Sequence, residues 1–185
     1  MMRSQEELQS MGFAHVGTGV LISDRATFYG IQNIHLGDHV RIDDFCILSA
    51  GAGGIHLGNY IHIACYSSLI GAGRIELHDF SNISSRVSIY SSSDDFSGQT
   101  MTNPTVPDTF KNVKHAPVLV GRHAIVGSGS VILPGVRLEE GVAVGALSLV
   151  TSDCAEFGIY AGTPAKRISD RSRNLLALEA EFLGR

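Results

Sequence analysis

The most restrictive feature of this sequence is a six-residue repeat that runs without interruption from Val120 to Ala155. The first residue of each hexad is aliphatic, and the fifth is small or β-branched. A fixed period indicates one structural unit stacked many times, with each unit burying its apolar residue against the next. The first positions are Val120, Val126, Ile132, Leu138, Val144 and Val150, and the fifth are Ala124, Ser130, Val136, Val142, Ser148 and Cys154.

The same spacing extends toward the N-terminus in groups of three hexads. Between groups the step lengthens to 8 or 9 residues, and two of these insertions are the glycine-rich segments 51–54 and 71–74. We interpret each group as one turn of a solenoid, with the insertions bulging at the same corner, and expect about six turns. The earlier first positions are Val16, Ile22, Phe28, Leu36, Ile42, Leu48, Leu57, Ile63, Leu69, Leu77, Ile83 and Ile89.

Three segments lie outside the repeat, within what we predict to be a single domain over 1–185 with coils at 16–90 and 118–155. Residues 1–15 form an N-terminal cap whose short helix begins with a capping box, Ser4 and Glu7. Residues 91–117 contain three prolines and form an extruded loop, which we expect to border the active site. Residues 169–185 form a C-terminal helix capped by Ser169 or Asp170.

The composition excludes several classes of protein. A net charge of −4 provides no basic field for nucleic acid. No apolar run approaches the ~18 residues of a membrane span, and the polar N-terminus predicts no signal peptide. Three cysteines show no metal-binding spacing, and Cys46 and Cys154 occupy fifth positions, so we expect buried thiols in a reducing cytoplasm.

The hexads, together with the closing segment Gly158 to Ile168, resemble the hexapeptide-repeat acyltransferases. Within that family the chain is similar to the maltose and galactoside O-acetyltransferase branch, and to O-acetyltransferases of surface-polysaccharide gene clusters. The resemblance implies an all-β fold, a single-stranded left-handed parallel β-helix with a short helix at each end. It also implies a homotrimer with active sites between subunits, acetyl-CoA as co-substrate, and no required metal.

The resemblance implies acetyl transfer to a sugar hydroxyl, with a saccharide or nucleotide sugar as acceptor. A hydroxyl is a poor nucleophile at neutral pH, so the reaction needs a general base. One alternative is N-acetylation of an amino sugar nucleotide, because an amine needs less help from a base. A non-catalytic β-helix scaffold is a further alternative. A γ-class carbonic anhydrase is disfavoured, because no two histidines here have the five-residue spacing typical of that class.

The family's base is a histidine placed where the loop leaves the coil. Here Tyr90 and three serines lead instead to Asp94, which stands in the histidine's place. His115, at the far end of the loop, could return to the same point and act as base with Asp94 orienting it. We therefore predict Asp94 and His115 as the catalytic pair, and His62 is a weaker catalytic candidate.

The remaining site residues follow from the same resemblance. For the acceptor we predict groups at or near the base of the loop, and for acetyl-CoA we predict residues of the last coils, with Lys166 meeting a phosphate. The predicted acceptor-binding residues are Arg86, Tyr90, Ser93, Asp95 and Asn103, and the predicted cofactor-binding residues are Ser128, Ala146, Thr151, Lys166 and Arg167.

Overall fold

Each hexad folds into a short strand and a turn, and its first residue points into the interior. Because alternate residues of a strand face opposite sides, one apolar residue per strand defines an inner surface. In the computed structural model, which describes residues 1–184, three strands complete a turn and successive turns stack in parallel. The fold is therefore the three-sided parallel β-helix that the repeat predicts.

The strands form three flat faces that we number in chain order. Face 1 contains β1 (His15–Val16), β4 (Ile34–Leu36), β7 (Ile55–Leu57), β10 (Ile75–Leu77), β15 (Val118–Val120) and β18 (Arg137–Leu138). Face 2 contains β2 (Leu21–Ile22), β5 (Arg41–Ile42), β8 (His62–Ile63), β11 (Asn82–Ile83), β16 (Ile125–Val126), β19 (Ala143–Val144), β21 (Gly158–Gly162) and β22 (Ala165–Asp170). Face 3 contains β3 (Thr27–Tyr29), β6 (Ile47–Ala50), β9 (Ser68–Gly71), β12 (Ser88–Tyr90), β17 (Val131–Ile132) and β20 (Leu149–Val150).

The predicted register is confirmed in every turn. On face 2, Ile42 pairs with Ile63 and Ile63 with Ile83, and all three side chains are fully buried. The aligned first positions form one continuous core along the axis of the helix. Cys46 and Cys154 are buried as predicted, and burial raises the pKa of both thiols to about 11.

The insertions stack at the corner between faces 3 and 1, which we call corner 3–1. The Gly51 amide donates to the Gly71 carbonyl at 3.0 Å, so the two glycine-rich segments lie one above the other. The long excursion leaves at this same corner, and at its return the Ala116 amide donates to the Ser91 carbonyl at 3.0 Å. Every insertion therefore enlarges one corner and leaves the three faces continuous.

The excursion has more structure than an extruded loop over 91–117 suggests. Its two ends form an antiparallel ladder, β13 (Ser92–Ser93) with β14 (Lys114–His115), and a 3-10 turn covers Asp108–Phe110. Two-residue strands have no detectable alternation in sequence, so pattern alone could not reveal this ladder.

The C-terminal end differs from the prediction. Cys154 bridges Leu138 on face 1 and β21 extends face 2, so a partial seventh turn follows six complete ones. Next, β22 pairs antiparallel with β21, and it covers Ser169 and Asp170, the residues expected to cap the helix. The helix α2 (Asn174–Phe182) begins later than expected, and Arg185 lies outside the described residues.

Both helices pack against the β-helix. At the N-terminus, α1 (Gln5–Ser10) has the predicted capping box and buries Leu8. At the other end, α2 lies on a column of stacked rings at the corner between faces 1 and 2, where Phe182 contacts Tyr60 edge-on with centroids 5.3 Å apart. The apolar side of α2, which includes Leu175, Leu178 and Phe182, therefore packs on its own chain.

We expect Ile83→Ala to lower the free energy of unfolding by about 2–5 kcal/mol, because it opens a cavity in a fully buried stack. Chemical denaturation measures this change. The matched control is Leu21→Ala, also on face 2 but 46% exposed, which should cost far less. Equal losses for the two variants would contradict the burial pattern.

Candidate active site

The β13–β14 ladder brings the two ends of the excursion together at corner 3–1. Ser92 pairs with His115 and Ser93 with Lys114, and Asp94 follows directly. Both Asp94 and His115 are exposed to solvent. The expected return of His115 to the departure point of the loop is therefore confirmed, although both roles remain predictions.

The imidazole of His115 is oriented by a serine and not by Asp94. Its Nδ1 lies 2.7 Å from the Ser92 hydroxyl, which also accepts a hydrogen bond of 2.7 Å from the Ala72 amide. Among residues 1–184 no hydrogen bond joins Asp94 to His115. With its proton on Nδ1, the ring donates to Ser92 and leaves Nε2 free to accept a proton.

Two of the predicted acceptor-binding residues have their side-chain oxygens engaged within the loop. Asp95 accepts hydrogen bonds from Ser97 and Thr100, which lower the pKa of its carboxyl to about 2. The Asn103 side-chain oxygen accepts from the amide and hydroxyl of Thr105. Both side chains shape the loop, and Asp95 has little capacity to act as a base.

Tyr90 and Ser93 lie beside the catalytic candidates. Tyr90 ends β12 at the edge of face 3, and the Ser93 hydroxyl donates to the Asp94 carbonyl at 3.1 Å. Both are partly buried. They therefore flank the place where an acceptor would meet Asp94.

Three other predicted residues lie at a different corner, between faces 2 and 3, which we call corner 2–3. Arg86, Ser128 and Ala146 occupy this corner in consecutive coils, and the Leu147 amide donates to the Ser128 carbonyl at 2.9 Å. A Cβ at Gly127 would lie 2.5 Å from the Ala146 nitrogen. Glycine there allows the backbones of the last coils to stack closely, and Ser128 and Ala146 are exposed at this corner.

The last three predicted cofactor residues are spread further. Thr151 follows β20 and lies at corner 3–1. Lys166 and Arg167 lie on β22, and both are exposed. Arg167 is held by Asp170 at 2.7 Å, which raises the pKa of the guanidinium. Lys166 forms no ion pair with residues 1–184, so it is the freer cation for a phosphate.

Within one chain, the residues at corner 3–1, such as Asp94 and His115, and those at corner 2–3, such as Arg86 and Ser128, lie on opposite edges of face 3. Six residues of extended chain separate Arg86 from Ser92, which corresponds to roughly 20 Å at about 3.3 Å per residue. Reacting atoms must approach to about 3–3.5 Å. A single chain therefore does not bring its catalytic candidates to Ser128 and Ala146, the cofactor candidates at corner 2–3.

Sequence reasoning missed two features of these corners. Ser92 was one of three adjacent serines, and only its outward position at the ladder distinguishes it from buried Ser91. His62 forms a 2.8 Å hydrogen bond with Asp43, whose carboxylate also accepts from Arg41 at 2.8 Å. Asp43 lies 19 residues from His62 in the chain, one coil away, which is the only sequence signal of this contact.

Other kinds of site are not found in the described part of the chain. Residues 1–184 contain no group of three His, Cys, Asp or Glu side chains arranged to hold a metal ion. No helix in that range is long and apolar enough to cross a membrane.

Comparison with known proteins identifies the family. The chain is 54% identical over 176 residues to the dTDP-4-amino-4,6-dideoxy-D-glucose acyltransferase of Escherichia coli, covering 95% of this chain and 92% of the relative. The chain belongs to the hexapeptide-repeat acyltransferases. The chain is an acyltransferase. A search of protein-family models finds no match to it, although the alignment with the Escherichia coli relative covers nearly its full length.

Solved structures agree with this family. AntD, an N-acyltransferase from Bacillus cereus in complex with dTDP and 3-hydroxybutyryl-CoA, is 47% identical with a TM-score of 0.95, covering 99% of this chain and 96% of that chain. A single-site variant of AntD in complex with dTDP-4-amino-4,6-dideoxyglucose and coenzyme A is 46% identical with the same TM-score, covering 99% of this chain and 97% of that chain.

We expect Asp94→Asn and His115→Ala each to reduce turnover at least about tenfold, because each removes a proton acceptor at the loop base. Both side chains are exposed, so the melting temperature should change little. Steady-state thiol release and thermal melting measure the two effects. Wild-type turnover in both variants would refute the catalytic assignment.

Proposed function

We propose that this enzyme transfers an acyl group from acyl-CoA to the 4-amino group of dTDP-4-amino-4,6-dideoxyglucose. The observation that carries this proposal is 54% identity, over 92% of its length, to an acyltransferase named for that sugar nucleotide. The AntD complexes with the same sugar nucleotide and with coenzyme A support both substrates. The donor is acetyl-CoA or a short acyl-CoA such as 3-hydroxybutyryl-CoA.

The chemistry of the loop base suits an amine better than the hydroxyl that the resemblance implied. The neutral amine attacks the thioester carbonyl, a C–N bond forms, the C–S bond breaks, and CoA leaves as a thiol. The nitrogen sheds a proton only after attack, when it has become acidic. A solvent-exposed carboxylate such as that of Asp94 can take that proton, whereas activating a hydroxyl needs a stronger base.

The acceptor is tested with matched sugar nucleotides. Thiol release is measured with dTDP-4-amino-4,6-dideoxyglucose and with its analogue that carries a hydroxyl at C4, each with acetyl-CoA and 3-hydroxybutyryl-CoA. We expect kcat/KM to be at least about a hundredfold higher for the amine, because a neutral amine attacks the thioester without first losing a proton, whereas a hydroxyl needs a base. A higher value for the hydroxyl acceptor would restore the O-acetyltransferase interpretation, and no turnover with either would refute the proposal.

The separation of the two corners supports a shared site in a homotrimer. Corners 3–1 and 2–3 are the two edges of face 3. When face 3 of each of three copies lies against a common axis, corner 3–1 of one copy meets corner 2–3 of the next, and the residues of both corners come together. Face 3 has the composition of an interface, since its outward positions in the six coils carry no charge. These positions are Thr27, Tyr29, Ile47, Ser49, Ser68, Ile70, Ser88, Tyr90, Val131 and Leu149.

The other two faces are less suited to this contact. Face 1 carries His35, His56, Glu76 and Arg137 at outward positions. Face 2 carries Arg41 in the second coil and is extended by the charged strand β22. Burying charged groups is costly even when they are paired, so we expect these faces to remain in solvent while face 3 is covered.

A shared site predicts complementation between two inactive variants. Asp94→Asn removes the carboxylate at corner 3–1, and Ser128→Trp obstructs corner 2–3. Mixed trimers from co-expression contain intact sites, in which Ser128 of the first variant meets Asp94 of the second, so we expect up to about a quarter of wild-type activity to return. Each variant expressed alone is the control. No recovery in verified mixed trimers would place the site within one chain.

A further inference from the structure

Helix α2 buries a carboxylate in an otherwise apolar contact. Its buried residue is Glu179, whose side chain is 6% exposed and lines the same groove as Tyr60 and Phe182. The carboxylate accepts a hydrogen bond of 2.7 Å from His123 Nε2 and contacts the Arg122 guanidinium. A buried ion pair adds little stability over an apolar side chain of similar volume. The benefit of this contact therefore lies in specifying one position for α2 on the coils.

The residue that follows β22 is anchored at the same place. The Arg171 guanidinium donates hydrogen bonds to the carbonyl oxygens of His123 at 2.8 Å and Gly141 at 3.0 Å, which belong to the fifth and sixth coils. The Arg171 amide donates to the Phe157 carbonyl at 2.7 Å. His123 thus binds Arg171 through its main chain and Glu179 through its ring. We call Arg171, Glu179 and His123 the C-terminal clasp.

Strand β22 carries two predicted donor-binding cations, yet little besides the clasp fixes it. Within residues 1–184 it pairs with β21 alone, in a ladder whose register shifts between Ile159 and Tyr160. Each of its six residues is partly or fully exposed. An edge strand with few buried contacts opens locally at low cost. The position of β22 therefore depends on how the segments at its two ends are held.

The clasp connects directly to Arg167, one of the two cations. Asp170, the residue before Arg171, accepts a hydrogen bond of 2.7 Å from the Arg167 guanidinium and pairs with Gly158 in the ladder. The same guanidinium lies 5.9 Å from the Tyr160 ring. If the end of β22 opened, Asp170 would move away and Arg167 would lose the group that orients it. The clasp therefore determines where this guanidinium points.

We propose that Arg171 and Glu179 are positioning residues for the acyl donor. They hold the end of β22 and so present Arg167, with Lys166 beside it, to the phosphates of acyl-CoA. The inference rests on the proposed function and adds which residues outside the site keep its cations in place. An arginine fixed in advance binds phosphate with less loss of side-chain freedom than a mobile one.

The clasp lies away from both corners that form the proposed active site. Because β22 runs antiparallel to β21, it starts near corner 2–3 with Lys166 and ends at the corner between faces 1 and 2, where Arg171 is anchored. With face 3 at the common axis, that corner is the farthest from the axis. The clasp can therefore affect the donor cations without touching the acceptor residues at the loop base.

Binding of coenzyme A to the intact trimer, measured by calorimetry, tests this inference without any acceptor. Arg171→Met and Glu179→Ala should each weaken coenzyme A at least about fivefold, the effect of leaving one such side chain mobile. The matched control Glu181→Ala, an exposed carboxylate on the same helix, should leave the affinity unchanged. Wild-type affinity in both clasp variants, with melting temperatures showing that they are folded, would overturn the inference.

Kinetics separate a positioning role from a structural one. With acetyl-CoA, the clasp variants should raise KM for the donor at least about fivefold and leave kcat and KM for the sugar nucleotide unchanged. With acetyl-pantetheine, which has no phosphate, kcat/KM should equal that of wild type. An equal loss with both donors would show general damage and reject the positioning role. If Glu179→Ala does not fold, Phe182→Ala weakens the same docking through the aromatic contacts.

A double-mutant cycle shows whether the clasp acts through Arg167. Arg167→Ala combined with Arg171→Met should bind coenzyme A about as weakly as Arg167→Ala alone, because the clasp then has no guanidinium to place. Additive losses would contradict the proposed route. If wild type acylates the dTDP amino sugar while the clasp variants bind coenzyme A normally, the clasp is wrong and the function stands. If wild type does not acylate that sugar but the clasp variants lose coenzyme A, the proposed acceptor alone is wrong.

Discussion

The inward column of aliphatic side chains is the interaction on which the rest of the structure depends. Each coil has only three short strands and cannot bury its apolar residues alone, so stability comes from neighbouring coils. Alignment of residues such as Ile42, Ile63 and Ile83 fixes the register of every face at once. Shifting the register of one strand by a residue would turn its inward aliphatic side chain toward solvent, which is why the insertions are confined to corners.

A fixed register also converts corner residues into columns. The same backbone turn recurs at each level, so side chains at equivalent corner positions stack about 4.8 Å apart whatever their chemistry. Phe45, Tyr66 and Arg86 all adopt positive φ near 60° at corner 2–3, a conformation imposed by the coil and costly for such residues. Aromatic stacking and cation–π contact along the column offset part of that cost.

The fold could be predicted from the sequence because its determinants are local and periodic. The first positions of the hexads, from Val16 to Val150, were located by spacing alone, and the strand pairing in each turn agrees with the predicted alignment. Prediction failed where the period ended: β22 replaced the expected start of the helix because an antiparallel ladder satisfies the exposed edge of the last coil. The loop ladder was missed because two-residue strands leave no pattern.

The site was predictable only in part, because its residues are related by the stacking of coils and copies. Asp94 was predicted from a family frame and His115 from its place at the far end of the loop, and the group that contacts His115 is Ser92, one of three serines that sequence cannot rank. Asp43 and His62 form a hydrogen bond because the stacking of adjacent coils brings them together across 19 residues of sequence. A corner built this way can change its ligand by substituting one residue per coil, without disturbing the inner column. The outward corner residues can therefore vary while the inward residues of the same repeat keep the fold stable.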